Sequence, residues 1–222
     1  MHTAVTRYGT VIFLDRTNVG PSLINATRCR DNPLDYTLTH DCTAHSVLFT
    51  PNATSSSVRP LSIFSDTWCS SGQFSPDGTL VQTGGDNDGL FRVRTFTPCS
   101  QGKSCDWVES TDMYLQDGRW YASNQLLPDG RQIVVGGRDV FTYEFIPPPV
   151  AAAGTGKTTY LPFLSDTNDA QNDNLYPFLH LLPDGNLFIF ANRDSIFYDH
   201  RTSQVVKTLP RIPGKPRNYP FA

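Results

Sequence analysis

Three stretches of this 222-residue chain repeat one pattern: Phe74-Ser-Pro-Asp-Gly-Thr-Leu-Val-Gln-Thr-Gly-Gly85, Leu126-Leu-Pro-Asp-Gly-Arg-Gln-Ile-Val-Val-Gly-Gly137 and Leu181-Leu-Pro-Asp-Gly-Asn-Leu-Phe-Ile-Phe-Ala-Asn192. Each reads as strand, turn, strand. Proline fixes φ at the second position of the turn, glycine accepts a positive φ, and the β-branched and aromatic residues that follow favour a pleated surface. The turn glycines Gly78, Gly130 and Gly185 lie 52 and 55 residues apart, and a degenerate copy occupies Tyr8-Gly9-Thr-Val-Ile-Phe-Leu14.

A period near 50 with Gly-Gly ends is that of kelch-like β-propellers, in which a four-stranded blade cannot bury both of its faces alone and stacks on its neighbours. The expected fold class is therefore all-β. Composition agrees: 18% charged residues, 12% aromatic, 16 glycines and 17 prolines suit many short strands joined by tight turns. Residues 1–222 account for about three blades plus part of another, interrupted by a Pro/Ala/Gly-rich linker or loop at 147–159. Closed propellers carry about four to eight blades. Arg211 to Ala222 begins a polar, Pro-rich connection, so the expectation is a propeller left incomplete, with missing C-terminal blades.

The net charge of -3 provides no basic stripe for phosphates or anionic lipid, which argues against nucleic acid and membrane surfaces as partners. No apolar run reaches the roughly 18 residues a bilayer span needs, and the N-terminus lacks the order of a secretion signal. Other features point outward. Asn25-Ala-Thr27 and Asn52-Ala-Thr54 are glycosylation sequons in polar, turn-rich stretches. Cys29 with Cys42 and Cys99 with Cys105 form short-range pairs in Asp, Asn, Ser and Gly-rich loops, which suits two disulfides in an oxidising compartment. Cys69 is left over.

Nine residues before each turn glycine stand Cys69, Tyr121 and Tyr176. If that position lies at the axial end of each blade's inner strand, the three side chains converge near the propeller mouth. Cu(II) and O₂ can oxidise a close cysteine and tyrosine to a thioether between sulfur and phenol ring, which lowers the oxidation potential of the tyrosine. Such a phenolate could bind copper and hold a radical, giving two one-electron carriers for a two-electron oxidation. Tetragonal Cu(II) would also call for two imidazoles.

Through Asp66-Thr-Trp-Cys69-Ser-Ser-Gly72, Leu80-Val-Gln-Thr-Gly-Gly85, Gly118-Arg-Trp-Tyr121-Ala-Ser, Asn174-Leu-Tyr-Pro177 and Arg217-Asn-Tyr-Pro220, the sequence resembles the N-terminal part of the glyoxal oxidase branch of the galactose oxidase-like copper radical oxidases. The resemblance implies a seven-bladed propeller, an extracellular or cell-wall location, and oxidation of small aldehydes to carboxylic acids while O₂ is reduced to hydrogen peroxide. It implies copper as cofactor and Cys69 and Tyr121 as the crosslinked radical pair, with Tyr121 on the metal. The family's axial tyrosine and two copper-binding histidines come from later blades, typically in a Tyr-His-Ser stretch and a further His. None of His2, His40, His45, His180 and His200 stands in such a motif, so each reads as structural, and this chain alone is expected to be inactive.

Plainer readings stand beside these. Cys69 could be a small buried thiol, Tyr176 a packing residue, and Trp68 and Trp120 packing residues rather than shields for a radical. Ala151-Ala-Ala-Gly-Thr-Gly-Lys-Thr158 nearly matches a phosphate-binding loop but has Ala where Gly is needed and no helical pattern after it. Asp86-Asn-Asp-Gly89 lacks the later Glu of a calcium loop and reads as a polar turn. The competing function is a non-catalytic propeller fragment or binding module.

Overall fold

The computed structural model describes residues 1–100, 103–147 and 157–215. The 147–159 loop falls mostly outside these residues, as do all but Lys157 and Thr158 of the near-match to a phosphate-binding loop, and the whole of Arg217 to Pro220.

Four antiparallel four-stranded sheets follow one another along the described chain. The first comprises β1 (His2–Val5) and β2 (Val11–Leu14), then a two-stranded excursion of β3 (Asn25–Asp31) and β4 (His40–Thr43), then β5 (Ser46–Thr50) and β6 (Ser57–Leu61), in the order β1-β2-β5-β6. The second holds β7 (Ser71–Phe74), β8 (Leu80–Thr83), β9 (Arg92–Phe96) and β10 (Trp107–Tyr114). The third holds β11 (Ser123–Leu126), β12 (Gln132–Val135), β13 (Thr142–Ile146) and β14 (Thr159–Tyr160). After the short helix α1 (Pro162–Asp166) come β15 (Phe178–Leu181), β16 (Leu187–Ala191), β17 (Asp194–Asp199) and β18 (Gln204–Thr208). The segment around Gly9, read from the sequence as a degenerate copy of the hairpin, opens the first four-stranded sheet.

The repeated turn is one structure made four times. Gly9, Gly78, Gly130 and Gly185 have φ of 73°, 82°, 84° and 83°, the left-handed region that glycine enters without a Cβ penalty. Each donates its N–H three residues back, to Thr6, Ser75, Leu127 and Leu182 carbonyls at 2.8–3.0 Å. In the three Pro-Asp-Gly copies the aspartate also accepts the N–H two residues on, from Thr79, Arg131 and Asn186. This is the local bond that makes aspartate a turn residue.

Between successive sheets lie three apolar cores. Ile12, Leu14, Leu48 and Leu61 meet Leu80, Phe96 and Trp107 between the first and second. Val81, Val93 and Leu115 meet Ala122, Val134 and Ile146 between the second and third. Leu127, Ile133, Val135 and Tyr143 meet Leu187, Ile189, Ile196 and Tyr198 between the third and fourth. Strands β8 and β12, each with sheets on both sides, are buried at every position, whereas β16 alternates buried and half-buried residues. A strand covered on two faces has no solvent face for polar residues to mark.

Candidate active site

The matched positions Cys69, Tyr121 and Tyr176 each stand two residues before the first strand of their sheet, β7, β11 and β15. All three are left-handed, with φ of 51°, 67° and 48°. For a residue with a Cβ this costs about 1–2 kcal/mol, and such strain clusters at functional sites. The backbone there runs sheet to sheet: Tyr121 N–H donates to the Cys69 carbonyl, and Tyr176 N–H to the Tyr121 carbonyl, both at 2.9 Å. The left-handed turn aims these groups sideways along the row instead of up their own strand.

The side chains gather accordingly. The Cys69 side chain is half-buried and interacts with those of Tyr121, Tyr176 and Trp120. Burial pushes the thiol's pKa up, and those three contacts oppose it without reversing the direction, so the sulfur rests as a thiol. The Tyr121 ring meets Tyr176 edge-on at 5.4 Å and Trp120 at 4.7 Å, and Trp120 meets Trp68 at 4.9 Å. Arg16 lies over Trp68 at 3.6 Å, and the Tyr176 hydroxyl also donates to the Ser70 carbonyl at 3.2 Å. An open cleft of about 940 Å³ is lined by Arg16, Trp68, Cys69, Tyr121 and Tyr176 together with His2 and Asp15.

Buried charges hold the loops that carry the cluster. Arg94 reaches the Gly84 carbonyl at 2.7 Å, the Asp66 carbonyl at 3.0 Å and Ser65 Oγ. Arg119 pairs with Glu144 at 2.8 Å and donates to the Gly136 and Thr142 carbonyls. Burial lowers the pKa of both guanidinium groups, and Glu109 and Glu144 oppose this. Asp66 Oδ1 accepts from Thr17 and Trp68 N–H while Oδ2 is buried without a hydrogen-bond partner among the described residues. Desolvation raises the pKa of this carboxyl.

The remaining candidates lie elsewhere. Cys29–Cys42 and Cys99–Cys105 are disulfides and Cys69 is free. Asn25 and Asn52 are exposed. Asp86 to Gly89 forms a 3-10 turn whose Asp88 carboxylate is taken by Asn32 and the Asp66 N–H. His40 and His45 pair with Asp31 and Asp41, His180 stacks on Phe188, and His200 packs against Phe145. His2 is different: it enters the cleft, its Nε2 3.5 Å from Ser70 Oγ, and burial lowers its pKa to about 4. Its signal was the repeat itself, for His2, Ser71, Ser123 and Phe178 all stand seven residues before their turn glycine and begin their strands.

As donors for a metal, the cleft brings together the phenols of Tyr121 and Tyr176, the Cys69 sulfur and one imidazole. No group of three His, Cys, Asp or Glu ligands occurs there among the described residues. The set fits the sulfur-phenol half of a copper radical centre and one phenolate ligand.

Residues 1–222 match the family model described as glyoxal oxidase N-terminus. The chain is similar to aldehyde oxidase GLOX of Vitis pseudoreticulata, 54% identical over 100% of this chain and 42% of the relative. It is also similar to aldehyde oxidase GLOX1 of Arabidopsis thaliana, 44% identical over 81% of this chain and 28% of the relative. It thus spans less than half the length of either. Among solved structures, a fungal alcohol oxidase of the AA5 family in complex with copper has a TM-score of 0.44 at 11% identity, over 98% of this chain and 66% of that one.

Proposed function

The chain belongs to the glyoxal oxidase N-terminus family, and from that premise we propose that it carries the radical half of an extracellular copper radical oxidase that converts small aldehydes to carboxylic acids and O₂ to hydrogen peroxide. The observation that carries this reading is the contact of the Cys69 sulfur with Tyr121 at the edge of an open cleft. In the crosslinked state one sulfur–carbon bond replaces the thiol S–H and one ring C–H of Tyr121. Two electrons and two protons pass to O₂, giving peroxide. Copper, when bound, supplies a one-electron carrier beside the Tyr121 radical.

The chain's own residues have separable tasks. Tyr121 offers the phenolate ligand, and the sulfur substituent of Cys69 lowers the potential at which that ring loses an electron. Trp120 and Tyr176 cover the ring's edges and keep water from it, and Trp68 under Arg16 covers Trp120. The imidazole ligands would come from the longer chain that its relatives possess, whose added blades would close the propeller. Two disulfides and the exposed sequons at Asn25 and Asn52 support an extracellular, glycosylated protein.

The test uses a chain extended to the length of the relatives and loaded with copper. Aldehyde-dependent peroxide formation should occur and be abolished by Tyr121→Phe. Peroxide formation unchanged in Tyr121→Phe, or its absence with copper bound, would return the chain to the reading of a non-catalytic binding scaffold.

A further inference from the structure

The β3–β4 hairpin carries a second group of reactive side chains, away from the cleft. In its antiparallel register Asp31 faces His40 and Arg30 faces Asp41, and the disulfide Cys29–Cys42 is the next pair along. Strand alternation sorts these pairs onto two faces. Inward go Arg30 and Asp41, buried in a network in which Arg30 pairs with Asp35 at 2.5 Å, Asp41 with His45 at 2.6 Å, and Arg30 donates to the Phe64 carbonyl at 2.8 Å. Outward go Cys29, Asp31, His40 and Cys42, all exposed.

On that outer face the groups are aligned. Asp31 Oδ1 lies 2.6 Å from His40 Nδ1, and His40 Nε2 lies 3.4 Å from Cys42 Sγ. A carboxylate orients an imidazole, and the imidazole faces one sulfur of an open disulfide. Thiol–disulfide exchange is governed by access to the attacked sulfur and by how readily the other sulfur leaves. Here the sulfur with the imidazole beside it is Cys42, so the bond is polarised toward departure of Cys42 and attack at Cys29.

We propose that the Cys29–Cys42 disulfide is a thiol-exchange site that takes a small-molecule thiol on Cys29, with His40 as proton donor to Cys42 and Asp31 as the residue that positions His40. The incoming thiolate forms a new sulfur–sulfur bond to Cys29 as the Cys29–Cys42 bond breaks. Cys42 leaves with the electron pair and takes from His40 Nε2 the proton that the incoming thiol gave up there on becoming the thiolate, while Nδ1–H stays on Asp31. The product is a mixed disulfide at Cys29 and a thiol at Cys42, and no net oxidant or reductant is consumed. The inner-face network does not involve either sulfur, so the hairpin keeps its place when the bridge opens and the exchange is reversible.

The Cys99–Cys105 disulfide, for which no histidine contact is found among the described residues, is an internal control. The folded chain is treated with glutathione, acid-quenched, alkylated and mapped by peptide mass spectrometry. Cys29–Cys42 should open at least about tenfold faster than Cys99–Cys105, a factor within the reach of a positioned proton donor. Glutathione should be found on Cys29 and the alkyl label on Cys42. His40→Ala should remove the rate difference. Asp31→Asn, which still accepts from Nδ1, should keep most of it, while Asp31→Ala should not. His40 and Asp31 side chains are 65% and 78% exposed, so these variants should melt as the parent does. Equal opening of the two bridges in the parent, glutathione on Cys42, or an unchanged rate in His40→Ala would each overturn the proposal.

Discussion

Cys69, Tyr121 and Tyr176 show how one backbone choice, made three times, turns a repeat into a site: a left-handed residue before each first strand lets neighbouring sheets bond through it. Asp66 fixes the turn that carries the first of them. Asp66→Ala should leave one buried and one partly buried N–H group without acceptors and cost about 2 kcal/mol or more, whereas Asp66→Asn, which keeps an acceptor at Oδ1 and removes a buried charge, should stay within about 1 kcal/mol of the parent. Urea midpoints at pH 7 measure both. His2 makes a pH prediction. Burial keeps its folded-state pKa near 4, while the unfolded chain takes up a proton near 6.5. Acidification from pH 7 to pH 4.5 therefore favours unfolding through this group, and the effect is absent above pH 7. The melting temperature of His2→Gln should fall less over that range than the parent's; parallel curves would refute it. Counting from the turn glycines reached the three matched residues because identical turns fix identical offsets. It passed over His2 because nine residues before Gly9 lies ahead of Met1, and the residues equivalent to His2 share no chemistry with it.

At the scale of elements, the glycine pairs that end the repeats look alike in sequence but are held by different contacts. A Cβ on Gly84 would come 2.1 Å from the Arg119 carbonyl oxygen, and one on Gly85 would come 2.0 Å from that of Asp66. Backbone fills both places, so Gly84→Ala and Gly85→Ala should each cost several kcal/mol or prevent folding. Gly136 has its nearest neighbour at 3.5 Å and Gly9 has none within 4 Å. Alanine there should cost only the left-handed strain of about 1–2 kcal/mol. Chemical denaturation of the four variants should show this order. The hairpins were legible because proline, aspartate and glycine each set a dihedral or a local bond. Strands β3 and β4 were not, since their cysteines signalled a closed loop while Arg30 and Asp41, charged and buried, hid the apolar alternation by which a half-buried strand is recognised.

Across the whole molecule, the three inter-sheet cores make each sheet depend on its neighbours, and the row Cys69, Tyr121, Tyr176 crosses the second, third and fourth sheets at one end. A crosslink at that row would therefore report on how the sheets stack as well as on metal binding. The central claim is that Cys69 and Tyr121 become one cofactor. It is tested by loading a chain of the relatives' length with copper in air, reducing it thoroughly, digesting it and analysing it by mass spectrometry. A thioether is not reopened by thiol exchange. The account predicts that the peptides carrying Cys69 and Tyr121 stay joined, lighter by two hydrogen atoms than their sum, while the peptides of Cys29–Cys42 and Cys99–Cys105 come apart. Clean separation of the Cys69 and Tyr121 peptides from the copper-loaded protein would contradict it.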